Sequence, residues 1–84
     1  MKNLKVLIID DEQRAIHALT RVLANFSQVE IVGTFLDALS ARAFLAQHSV
    51  DCLFVDIEMP ELDGLSFAKE VKRLTPDTHI VFTT

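Results

Sequence analysis

The sequence predicts an α/β domain built on a parallel sheet with alternating helices. Two observations lead there: short, almost unbroken apolar runs rich in β-branched residues, and intervening stretches whose apolar residues recur every three or four positions. Strands covered on both faces read as continuous apolar runs, and regular alternation of strand and helix implies parallel strands joined by right-handed crossovers.

The first strand is Lys5-Val6-Leu7-Ile8-Ile9-Asp10. Over residues 12–26, Ile16, Leu19, Val22, Leu23 and Phe26 share a face while Arg14, His17 and Arg21 take other positions, which predicts an amphipathic helix. Asp10 or Asp11 is its expected cap, with Gln13 three residues after Asp10 in a capping-box spacing. Glu30-Ile31-Val32-Gly33-Thr34-Phe35 predicts a second strand, and residues 37–47 a second helix, rich in Ala and carrying Leu39, Phe44 and Leu45. Asp51-Cys52-Leu53-Phe54-Val55-Asp56 is the third strand. Residues 65–74 form a third helix, stopped by Thr75-Pro76-Asp77, and His79-Ile80-Val81-Phe82-Thr83 a fourth strand.

Eighty-four residues are enough for one small domain, and a 50% hydrophobic, 24% charged composition belongs to a chain that folds. A net charge of −4 with no run of Lys or Arg excludes the electrostatic footprint of a nucleic-acid binder, so no direct nucleic-acid contact is expected. Cys52 is the only cysteine, which excludes a disulfide framework and predicts a small buried thiol. The apolar stretch at residues 6–9 is cut off by Asp10, Asp11 and Glu12, too short for a signal peptide or a membrane span; a cytoplasmic location is the default expectation. His17, His48 and His79 are dispersed, without partners at metal-ligand spacing, and receive no role.

Ligands in open parallel sheets bind beyond the carboxyl ends of the strands. The first strand ends in Asp10-Asp11 and the third in Asp56, so side-by-side placement gathers these carboxylates at one edge. Like charges this close require a proton or a cation between them, and hard oxygen ligands suit Mg²⁺, which keeps several waters and accepts phosphate oxygens. Taken alone, an Asp pair after a strand is more often a helix cap, and one Asp ending a strand is commonplace. The combination with Met59-Pro60 and Asp63-Gly64 shortly after Asp56 is what makes the pattern specific.

Ile8-Ile9-Asp10-Asp11-Glu12, the segment Asp56-Ile57-Glu58-Met59-Pro60-Glu61-Leu62-Asp63-Gly64 and Ile80-Val81-Phe82-Thr83-Thr84 resemble the receiver domains of two-component response regulators. The resemblance implies a flavodoxin-like fold with strand order 2-1-3-4 over the segments present. It implies Asp56 as phosphoacceptor, Asp10, Asp11 and Asp56 as Mg²⁺ ligands with the backbone carbonyl of Glu58, and Thr84 rather than Thr83 as the hydroxyl that meets the phosphoryl group. A sensor histidine kinase or phosphotransfer domain is the implied donor, and an output domain the implied recipient of the signal.

Complete members continue through a further helix, a fifth strand ending in a lysine, and a last helix. The match therefore implies the N-terminal two thirds of a receiver domain, residues 1–84, truncated after the fourth strand, with Lys69 and Lys72 falling in the third helix instead. An unpaired fourth strand is expected to drive a homodimer or higher oligomer, by edge pairing or exchange of elements. Two other functions compete with the phosphoacceptor switch. One is a Mg²⁺-dependent phosphohydrolase with an aspartate nucleophile, disfavoured because such enzymes need a second Asp where this chain has Glu58. The other is an interaction module that no longer takes phosphate.

Overall fold

The computed structural model describes residues 3–59 and 62–83. In chain order the elements are β1 (Leu4–Ile9), α1 (Gln13–Leu23), β2 (Val29–Phe35), α2 (Ala38–Leu45), β3 (Cys52–Asp56), β4 (Glu58–Met59), β5 (Leu62–Asp63), α3 (Gly64–Leu74) and β6 (His79–Thr83). The main sheet has the order β2-β1-β3-β6 with every pair parallel, which is the order expected for the four strands read from sequence. Among the described residues no helix is long and apolar enough to cross a membrane.

The continuous apolar run of β1 is explained by burial on both faces. Leu7 and Ile9 join Leu53 and Val55 of β3 on the face covered by Ala38, Ala41, Phe67 and Val71; Val6 and Ile8 join Cys52 on the face covered by Ile16. Alternate residues of a strand point to opposite faces, so a strand with helices on both sides has no polar positions to show. Cys52 is the buried free thiol expected, and burial pushes its ionisation up, which keeps it unreactive.

Two features differ from the sequence reading. α1 and α2 end at Leu23 and Leu45 rather than at residues 26 and 47, because the following amides bond three residues back, as in Phe26 N–H to the Leu23 carbonyl and Gln47 N–H to that of Phe44. The segment after Asp56, to which the sequence reading assigns no element, carries a short ladder: β4 and β5 pair antiparallel, Glu58 opposite Asp63 and Met59 opposite Leu62. A ladder of two-residue strands is too short to leave a periodic pattern.

The amino-terminal edge of the sheet is fastened by polar contacts. Asp51 N–H donates to the Lys5 carbonyl at 2.8 Å and His79 N–H to the Asp51 carbonyl at 3.0 Å. Thr78, buried, donates its hydroxyl to the Val50 carbonyl at 2.9 Å, and Lys72 Nζ donates to the carbonyls of Pro76 and Thr78 at 3.2 and 3.1 Å. Thr78→Val leaves the Val50 carbonyl without this donor and is expected to lower stability by about 1–2 kcal/mol. Urea unfolding checks it as a lower midpoint at unchanged slope.

Candidate functional site

The β1–β3 ladder sets Ile9 opposite Val55, so the next residue on each strand, Asp10 and Asp56, emerges at the same level of the carboxyl edge. Asp11 follows Asp10. One carboxylate oxygen from each of Asp10, Asp11 and Asp56 lies within 4.8 Å of the others. Asp10 and Asp56 are buried, at 8% and 9% exposure, while Asp11 faces solvent.

The two buried carboxylates are held alike. Asp10 Oδ1 accepts the Glu12 N–H at 2.9 Å and Asp56 Oδ1 accepts the Glu58 N–H at 3.0 Å, each bond closing a turn two residues long. The capping-box expectation for Asp10 and Gln13 is thereby corrected. Glu12 occupies the cap position of α1 with no side-chain cap, Asp10 spends its oxygen on the Glu12 amide, and Gln13 Nε2 instead meets His17 Nε2 at 3.0 Å. The Asp10 backbone has an anchor that side-chain motifs do not reveal: its N–H donates to the Phe35 carbonyl at the end of β2, at 3.0 Å.

Burial raises the Asp10 carboxyl above the usual carboxylate range; the Glu12 amide opposes this, and the negative charges of Asp56, Asp11 and Glu12 add to it. A cation relieves the repulsion among these charges and offsets the loss of hydration with its own attraction. The donor set is made of hard oxygens, each buried carboxylate has one oxygen fixed by an amide, and among the described residues no buried side-chain oxygen or nitrogen lacks a partner. These residues fit Mg²⁺.

Thr83 stands opposite Asp56 in the β3–β6 ladder, and its carbonyl accepts the Ile57 N–H at 3.1 Å. Glu58 lies in β4, two residues past Asp56, its amide committed to that carboxylate. Thr84 and Pro60 lie outside the described residues. Lys69 and Lys72 belong to α3, as expected, and Lys72 is engaged at the opposite edge of the sheet.

The response regulator receiver domain is the family whose profile this chain matches, over residues 6–84. The chain is 41% identical to the transcriptional regulatory protein YpdB of Escherichia coli strain K12 over 81 residues, which are 96% of this chain and 33% of that protein. It is similar to the response regulatory domain of protein MrkE from Klebsiella pneumoniae, at 39% identity and a TM-score of 0.86, covering 94% of this chain and 65% of that one. The isolated REC domain of RcsB from Salmonella enterica serovar Typhimurium, solved with phosphomimetic BeF3-, matches at a TM-score of 0.90 and 27% identity, covering 96% and 61%. The chain spans about a third of the length of the curated regulators it matches.

The raised Asp10 carboxyl fixes the sign of a pH effect in the metal-free protein. The folded state holds this proton more tightly than the unfolded state, so Asp10 costs stability as pH rises from about 4 through its raised value. Asp10→Asn is expected to raise the metal-free melting temperature at neutral pH by roughly 2–4 °C, a gain on the order of 0.5 kcal/mol. The gain should vanish at acid pH, where both proteins are neutral at this position; melting curves across the pH range decide it.

Proposed function

The chain belongs to the response regulator receiver domain family, and from that premise we propose that it accepts a phosphoryl group on Asp56. The donor in this reading is a phosphohistidine of a sensor histidine kinase or phosphotransfer domain, in the cytoplasm. The observation that carries it is the convergence of Asp10, Asp11 and Asp56 within 4.8 Å, with Asp56 at the centre of the sheet's carboxyl edge.

Asp56 attacks with an oxygen not committed to the Glu58 amide. A bond forms between that oxygen and phosphorus, the phosphorus–nitrogen bond breaks, and its electron pair stays on the imidazole of the donor, giving an acyl phosphate. A carboxylate is ionised before it attacks, so no general base is needed. When bound by Asp10, Asp11, Asp56 and the main-chain carbonyl of Glu58, Mg²⁺ supplies neutralisation between the carboxylates and the phosphoryl oxygens. The chain's own part is positioning: burial and the two turn amides hold Asp10 and Asp56 in place.

The hydroxyl of Thr84, or of Thr83 beside it, receives a phosphoryl oxygen in this reading, and the rearrangement biases contacts with an output domain.

Incubation with Mg²⁺ and acetyl phosphate is expected to add one alkali-labile phosphoryl group, seen by intact-mass analysis. Asp56→Asn and chelation should each abolish the label, and Asp10→Asn should slow labelling by about tenfold or more. Absence of label on the original protein with Mg²⁺ present overturns the proposal. Sustained turnover of an aryl phosphate would point to the phosphohydrolase instead.

A further inference from the structure

The β1–β2 ladder contains an irregularity that bears on the acidic site. Val6 stands opposite Ile31, but Leu7 stands opposite Gly33, so Val32 is an extra residue on β2. One inserted residue turns the rest of a strand to its other face. Val29 and Ile31 accordingly pack with Val6 and Ile8 on the α1 side, whereas Phe35 packs on the opposite side with Leu7 and Ile9.

The insertion also selects which carbonyl meets Asp10. Ile9 is opposite Phe35, and the Phe35 carbonyl receives the Asp10 N–H. Had the register of Val6 and Ile31 continued, Thr34 would stand opposite Ile9 and the Phe35 ring would face α1. The ring is instead held on the α2 side against Phe44, at 5.5 Å between centroids. Gly33 leaves the room this needs, since a Cβ there would lie 2.9 Å from Leu7 Cδ1 and 3.1 Å from Phe35 Cε2. Neither distance is tolerated without displacing the ring or the leucine.

We infer that Gly33 and Phe35 are positioning residues for Asp10, holding through the Phe35 carbonyl the strand end from which its carboxylate reaches the cation site. The inference rests on the reading of Asp10, Asp11 and Asp56 as a Mg²⁺ site. Asp10 hangs from β1, braced by β2, while Asp56 hangs from β3. A shift of Phe35 therefore moves one carboxylate relative to the other, and a cation gripped by both senses the difference.

The test is Mg²⁺ titration by calorimetry, with amide NMR shifts at Asp10 and Asp56 and a melting curve for each variant. Gly33→Ala and Phe35→Leu, which keeps apolar bulk but loses the ring, are expected to weaken Mg²⁺ binding by roughly tenfold, the scale of supporting contacts around a metal. Adding Leu7→Val to Gly33→Ala removes the clashing methyl and should recover most of the affinity. Val71→Ala, a core truncation at the opposite end of α3, should lower the melting temperature at least as much yet leave Mg²⁺ affinity within about twofold. Unchanged affinity in Gly33→Ala and Phe35→Leu, or an equal loss in Val71→Ala, overturns the inference while leaving the site intact, provided Asp56→Asn still abolishes binding. No Mg²⁺ binding by the original protein overturns the site and the inference together. Should Gly33→Ala fail to fold, Phe35→Leu alone decides.

Discussion

The pairing of Ile9 with Val55 is the constraint on which the acidic edge depends. Both residues, with Leu7 and Leu53, are completely buried. A slip of one residue would turn this apolar set toward the wrong face, and a slip of two would part Asp10 from Asp56 by about 7 Å, more than the whole width of the cluster. The hydrophobic core therefore does more than stabilise the sheet. By refusing any other register it forces charged groups together that would separate if free.

Burial first, and that enforced proximity after it, carry a cost that is visible in the raised Asp10 carboxyl. Among the described residues no ion pair to Asp10, Asp11 or Asp56 is found, and the one salt bridge found there joins Arg42 of α2 to Glu70 of α3, at 2.9 Å. The carboxylates are held by backbone amides, which fix position while leaving the charge largely unneutralised. Such an edge is poised for an external cation, and the same unneutralised charge that lowers resting stability gives that cation its affinity.

Much of this was legible in the sequence, for reasons that particular residues make clear. The runs ending at Asp10 and Asp56 are short and apolar enough to be read as central strands, and topology then brings their ends together. The motif around Asp56 and Met59 did the rest by resemblance. What the sequence does not display is carried by the main chain. Whether Asp10 bonds the Glu12 amide or caps α1 differs by a single residue of reach. The extra residue Val32 is invisible because Glu30 and Thr34 alternate with Val29, Ile31, Gly33 and Phe35 straight through it, so no break in alternation marks it. The Phe35 carbonyl has no sequence signal at all, since every residue has one.

The fastened amino-terminal edge gives the strands a common baseline: Asp51 bonds Lys5, and His79 bonds Asp51. Above it, Asp10 lies as many residues beyond Lys5 as Asp56 lies beyond Asp51. The chemistry at the top of the sheet is thus encoded as an equality of lengths. Substitutions within β1 and β3 that keep size and hydrophobicity are compatible with it, but insertion or deletion of a single codon in either central strand breaks the equality unless a bulge like that at Val32 absorbs it. Change of length in this protein belongs in the segments between elements, and the spacing from baseline to carboxylate is the quantity on which the acidic edge depends.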